Sequence, residues 1–217
     1  MINNRKLVSS FLNNAHLDNN STLGSNIIGS GLGQPLTPSI NLSSAYAFSN
    51  LDELSQYHSD KFNNFRYSRD SSSIARQVEH YFTMMHDDST CFLFSSGMSA
   101  IMAAISSTLK DIDTIVTFGI FYRKTQSILE HLSETEQVNI INLKEFDDLK
   151  SLKIENKEKI LFIVENPSNP FLKLISLKDL RENFYNSKII LDFSLASLIN
   201  HKDLKLADLA ITSCTKY

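Results

Sequence analysis

From Tyr67 onward the chain alternates short apolar runs with segments whose apolar residues recur at helical spacing. No other feature of the sequence constrains the fold as strongly. SSSIARQVEHYFTMMH has helical periodicity and a serine available as a cap, STCFLF follows as a short apolar strand, and GMSAIMAAISSTLK opens a second helix directly on Ser96 and Gly97. The order continues with DTIVTF (strand), YRKTQSILEHLS (helix), VNIINL (strand), KILFIVEN (strand), SLKDLRENFYN (helix), KIILDFS (strand) and ADLAITSC (strand). Strands interleaved with helices predict an α/β domain whose mostly parallel sheet is sandwiched by helices. The first sixty residues differ: GSGLGQPLTPSINLSSAYAF offers turns and prolines with little helical periodicity. The expected division is therefore an extended arm over residues 1–60 and a large domain over 61–217.

Composition narrows the function classes. A formal charge of −3 over 217 residues, with both signs dispersed, gives no basic stripe for nucleic acid. Apolar runs such as KIILDF and ILFIV fall far short of the roughly 20 residues that span a bilayer. MINNRKLVSSFLNN lacks an apolar core of the kind a classical secretion signal needs, so a cytoplasmic protein is expected. Cys91 and Cys214 both sit in apolar strand-like runs and are expected to be buried free thiols in a reducing compartment. The six histidines show no spacing with Cys or carboxylates that suggests a metal site.

Ligands of an open parallel sheet bind at the carboxyl ends of its strands, so the polar residues there carry the functional reading. Ser95, Ser96, Gly97 and Met98 at a strand-to-helix junction would offer free N–H groups and a positive helix end to an anion. Taken alone, the same residues read more simply as an ordinary tight turn, with Gly97 only relieving crowding. Asp192 follows the apolar Ile189 to Leu191, so its carboxylate needs a partner. Structural capping and a counter-charge for a protonated ring nitrogen both satisfy that need. On an extended backbone Ser213 and Thr215 would face one side and Lys216 the other, an arrangement suited to a phosphorylated aldehyde whose carbonyl meets the amine. An anion cup, the aromatic Tyr122 after the next strand, a strand-borne aspartate and a strand-end lysine together describe a site for pyridoxal 5′-phosphate.

Five stretches make the resemblance specific: PLTPSINLSSAYAF, YSR at Tyr67 to Arg69, SSGMSAI at Ser95 to Ile101, ENPSNP at Glu165 to Pro170, and SCTKY at the end. In that order and at those intervals the chain resembles the transsulfuration group of fold-type I pyridoxal-phosphate enzymes, which includes cystathionine γ-synthase, cystathionine lyases and methionine γ-lyase. The resemblance implies β- or γ-elimination or γ-replacement on a cysteine-, homoserine- or methionine-like amino acid. It implies that Lys216 forms the internal aldimine and shuttles protons, that Asp192 keeps the pyridine nitrogen protonated, and that Tyr122 stacks on the ring and assists at the leaving group. Ser96, Gly97, Met98, Ser213 and Thr215 would bind the phosphate, and Asn169 would lie beside the phenolic oxygen. Tyr67 and Arg69 would reach the phosphate of a neighbouring subunit, which implies a homodimer or a tetramer with shared sites.

The chain departs from the family pattern at three places. Asp70 to Ser73 replace a Gly-Asn-Pro-Thr-like segment, Arg123 and Lys124 stand where glycines are usual, and Phe193 and Ser194 follow the aspartate in place of Asn and Thr. The two added cations read either as a preference for an acidic substrate or as a solvated loop. Family members also carry a domain beyond the lysine, with an arginine for the substrate carboxylate, whereas this sequence ends one residue past Lys216. The expectation is a fragment, a split-gene product, or half of a complex whose C-terminal half is separately encoded. A non-catalytic remnant or partner subunit that assembles with a full-length relative is the second reading.

Overall fold

The computed structural model describes residues 40–60, 64–86, 89–152, 157–196, 200 and 204–216, and Glu158 by its backbone only. Most of the expected arm therefore lies outside the described residues. The chain divides into two compact units, Met1–Leu93 and Phe94–Tyr217.

The second unit is built on five strands, β1 (Thr114–Phe118), β2 (Asn139–Leu143), β3 (Ile160–Glu165), β4 (Lys188–Asp192) and β5 (Leu209–Ile211). They lie in the order β2-β1-β3-β4-β5, and every pair is parallel. This is the parallel α/β sandwich expected from the sequence. Because strand side chains alternate, the central strands bury one set of residues on each face. Val116, Phe118, Phe162, Val164, Ile189 and Leu191 meet Leu177 and Leu180 of a short helix (Leu177–Asn183) on one side. Ile115, Leu161, Ile163 and Ile190 meet Ile101 and Ile105 of helix Gly97–Thr108 and Leu129 and Leu132 of helix Arg123–Thr135 on the other. By the same alternation Glu165 and Asp192, the last residues of β3 and β4, fall on the second face.

Helix starts follow local chemistry. Ser96 and Ser99 form a reciprocal capping box at Gly97–Thr108, and the Ser176 hydroxyl accepts from the Asp179 amide at Leu177–Asn183. Arg181 ties that last helix to the sheet. Its guanidinium donates to the carbonyls of Leu206 and Ser187 and to the Asp208 carboxylate, at 2.6, 2.7 and 2.6 Å. Burial pushes the Asp208 carboxyl up, but the hydrogen bonds from Arg181 and the Ile189 amide outweigh it and hold it below its usual value.

The first unit contains helices Leu51–Ser59 and Ser73–Met85. The former lies in the segment read as an extended arm; its signal is Asn50, whose side chain caps the Glu53 amide. An isolated antiparallel bridge pairs Ala45 with Tyr67. The expected strand STCFLF is absent, and Cys91 to Phe94 lie outside any ladder. The amides of Cys91 and Leu93 donate instead to the side chains of Thr83 and Glu79 on helix Ser73–Met85, at 3.2 and 2.9 Å. Their hydrogen bonds are thereby directed to a helix face rather than to a neighbouring strand.

In chain order the helices are numbered α1 (Leu51–Ser59), α2 (Ser73–Met85), α3 (Gly97–Thr108), α4 (Arg123–Thr135) and α5 (Leu177–Asn183).

Candidate active site

The chain leaves β1 through α4 to β2 on one side, then returns to β3 on the other side of β1 and continues outward to β4 and β5. The point of reversal lies between β1 and β3. In open α/β sheets the crevice at the carboxyl ends there is where ligands bind.

Every predicted site residue of the second unit lies at or just beyond a strand's carboxyl end or at the start of the α3 helix. Tyr122 is the N-cap of α4, after β1; Asn169 is in the loop after β3; Asp192 ends β4; and Ser213, Thr215 and Lys216 follow β5. Ser96 caps α3, whose first turn holds Gly97 and Met98. The first amides of a helix have no intrahelical acceptor, so those of Gly97 and Met98 are donors available to an anion. Gly97 is pressed against the loop that follows β5. A Cβ added to it would lie 3.2 Å from the Ser213 Cβ, closer than side chains ordinarily approach.

The lysine loop differs from expectation. β5 stops at Ile211, and Cys214–Lys216 form a 3-10 turn in which the Lys216 amide donates to the Ser213 carbonyl at 3.1 Å. The period is thus three residues rather than two. Ser213 and Lys216, rather than Ser213 and Thr215, are the residues one turn apart. The same turn carries Cys214 out of the sheet, so it is exposed, and Cys91 is only partly buried. Neither cysteine is in a disulfide, and neither is buried as the sequence suggested.

Asp192 is held by Ser194. The Ser194 amide donates to Asp192 Oδ1 at 3.0 Å, and the Ser194 hydroxyl accepts from the Ser213 amide at 2.9 Å. One serine therefore links the aspartate to the lysine loop. Burial pushes the Asp192 carboxyl above its usual value, and hydrogen bonding from Ser194 only partly offsets it. A cation placed against Asp192 would favour its ionised form, so the site suits a positively charged group there.

Glu165, at the end of β3, is the register partner of Asp192. It accepts from the Tyr122 amide through Oε1 at 2.7 Å and from the Asn169 amide through Oε2 at 2.9 Å. Burial pushes its carboxyl up as well. Glu165 and Ser194 were missed as site residues from sequence. Glu165 stood inside the quoted ENPSNP motif without a role, and Ser194 was counted only as a departure from pattern.

Tyr67 and Arg69 belong to the first unit. The Arg69 guanidinium lies 4.9 Å from the Tyr67 ring centroid and 3.8 Å from Asp70, and both side chains line an open cleft with Arg66, Tyr46 and Phe48. Among the described residues no group of three or more His, Cys, Asp or Glu is placed to hold a metal ion. No described helix is long and apolar enough to cross a membrane.

A profile described as "Cys/Met metabolism PLP-dependent enzyme" matches residues 32–217. The chain belongs to this family of pyridoxal-phosphate-dependent enzymes. It is similar to the chloroplastic cystathionine gamma-synthase 1 of Nicotiana tabacum, 27% identical over 83% of this chain and 34% of the relative. It is also similar to an L-methionine gamma-lyase of Fusobacterium nucleatum, 28% identical over 70% of this chain and 39% of the relative. A crystal structure from Campylobacter jejuni, described as an O-acetylhomoserine (thiol)-lyase and carrying N′-pyridoxyl-lysine-5′-monophosphate, superposes with a TM-score of 0.71 at 20% identity over 84% of this chain and 46% of that one. The fold is accordingly that of the fold-type I enzymes. The chain spans well under half the length of these curated relatives.

Proposed function

We propose that the carboxyl-end crevice of the second unit holds pyridoxal 5′-phosphate and serves elimination or replacement at the β- or γ-carbon of a cysteine-, homoserine- or methionine-like amino acid. The observation that carries this reading is the gathering of an anion-accepting helix start, a partly buried carboxylate and a lysine loop linked to both. Gly97 meets Ser213, and Ser194 joins Ser213 to Asp192. The donor set fits the cofactor. Its dianionic phosphate matches the amides of Gly97 and Met98 with the hydroxyls of Ser213 and Thr215, and its ring nitrogen, once protonated, supplies the cation that Asp192 favours.

In this reading Lys216 is the amine that bonds the cofactor carbonyl and later moves a proton at the substrate's α-carbon. Tyr122 covers the ring, Asn169 hydrogen-bonds the phenolic oxygen, and Ser96 orders the cup as the cap of α3. The bound cofactor supplies an electron sink for the α-carbon. Tyr67 and Arg69 would serve the phosphate of a second subunit in a homodimer or tetramer. Residues 1–60 would act as the arm and 61–217 as the cofactor-binding domain.

Two measurements follow. The loaded chain is expected to release a 2-oxo acid from at least one of L-cystathionine, L-methionine or an O-acylhomoserine. Bound cofactor with no release from any of them would favour the partner-subunit reading. Gly97→Ala is expected to weaken pyridoxal phosphate binding about tenfold, because the loop bearing Ser213 must shift, while stability holds or rises slightly since alanine is the better helix former. Equilibrium titration with urea unfolding as the control reads both.

A further inference from the structure

We propose that Glu165 is a positioning residue: its carboxylate sets the separation of Tyr122 and Asn169 across the switch point, and thereby the slot that the cofactor ring enters. The proposal rests on the cofactor-site reading above and names the group that shapes it. Tyr122 and Asn169 sit on two different loops, one after β1 and one after β3. Each sends its backbone N–H to a different oxygen of the one carboxylate, at 2.7 and 2.9 Å. A carboxylate is planar and rigid, so engaging both oxygens fixes the distance between the loops, and hydrogen bonds to an ionised acceptor are the stronger kind.

The carboxylate itself is well anchored. Glu165 ends β3 in register with Asp192 on β4, so its backbone belongs to the sheet while the residue lines the small cavity beside Asp192. Its neighbours explain why a carboxylate is needed. Tyr122 makes no side-chain hydrogen bond as the cap of α4, so the acceptor at this helix start comes from across the crevice, where negative charge is also favoured by the helix dipole. Thr125, in the first turn of α4, and Phe121 line the same small cavity as Glu165 and Asp192. Burial opposes the ionised form of Glu165 and the charge of Asp192 adds to that, whereas the two amides favour it. Glutamine has nearly the same shape but a single acceptor oxygen, so it satisfies one amide and turns an NH2 donor toward the other.

The test compares wild type with Glu165→Gln. Amide hydrogen exchange of the chain without cofactor is followed by NMR, and pyridoxal phosphate binding is then followed by titration and by the visible circular dichroism of the bound chromophore. At least one of the Tyr122 and Asn169 amides is expected to exchange about tenfold faster in the variant. The amides of Phe162 and Val164 in β3 should keep their wild-type rates, and the cofactor should bind more weakly with an altered dichroic band. Unchanged rates at both amides overturn the proposal, as does faster exchange accompanied by wild-type affinity and dichroism. Should the glutamine variant not fold, Glu165→Asp, which keeps the charge but shortens the reach, is read by the same criteria. A wild-type chain that takes up no pyridoxal phosphate sinks the functional reading, and the clamp then stands or falls on the amide rates alone.

Discussion

Asp192→Asn is expected to make the chain without cofactor more stable at pH 7 while weakening its affinity for pyridoxal phosphate by about two orders of magnitude, since stranding a buried charge without its partner costs about 2–5 kcal/mol. The stabilisation follows from the direction of the Asp192 shift. Burial raises its carboxyl in the folded chain, so the fold binds that proton more tightly than the unfolded chain does. The contribution is complete below the unfolded value of 3.8 and is lost as pH rises through the folded value. Asparagine mimics the protonated form at every pH. The variant's advantage should therefore be smallest in acid and grow as pH rises toward neutral. Asp208, whose carboxyl is held low, loses its contribution as pH falls, but it is common to both chains and cancels in the comparison. Urea unfolding at pH 4 and pH 7, with cofactor titration at pH 7, reads both halves. A variant that is no more stable at pH 7 and binds the cofactor as well as wild type would remove Asp192 from the site.

The second large effect is structural. Phe162→Ala should destabilise the chain by about 3–5 kcal/mol, a large part of the 5–15 kcal/mol that holds a typical domain together. Phe162 is fully buried at the centre of the sheet, stacked on Phe118 at 6.0 Å between ring centroids and edge-on to Phe184 at 5.2 Å. Its removal opens a cavity between β1, β3 and α5 that rigid strands cannot close. Tyr185→Ala is the matched control, since Tyr185 is 77% exposed and its loss should change stability by less than about 0.5 kcal/mol. Equal unfolding midpoints for the two variants would contradict the assignment of the core.

How far the sequence could be read depended on whether the deciding partner was local. The strands around Ile115, Phe162 and Ile190 were legible because both faces of a parallel sheet are buried, which writes unbroken apolar runs into the chain. Helices α2 to α5 were legible from periodicity, three of them with a serine cap. Cys91 to Phe94 has the same apolar signature as a strand, yet its amides turn to Thr83 and Glu79, and nothing in a run of four residues reports where its hydrogen bonds go. The lysine loop misled for a related reason: TSCTK is compatible with an extended strand, and the end of β5 at Ile211 is set by pairing with β4. Helix α1 was missed although Asn50 and Glu53 carry a start signal, because the surrounding Ser, Asn and Pro outweighed it. The candidate site was legible as a set of motifs, whereas its wiring was not. The Tyr122 amide and Glu165 are separated by 43 positions, and the Ser213 amide and Ser194 by 19, so only the fold brings them together.

The central claim is that Lys216 lies in a cofactor site assembled by this chain. Borohydride reduction after incubation with pyridoxal phosphate and desalting, followed by peptide mapping, tests it most directly. One pyridoxyl group per chain, located on Lys216 and lost together with the visible absorbance in Lys216→Ala, is the predicted result. Label scattered over several lysines, or an absorbance band that survives in Lys216→Ala, would contradict it.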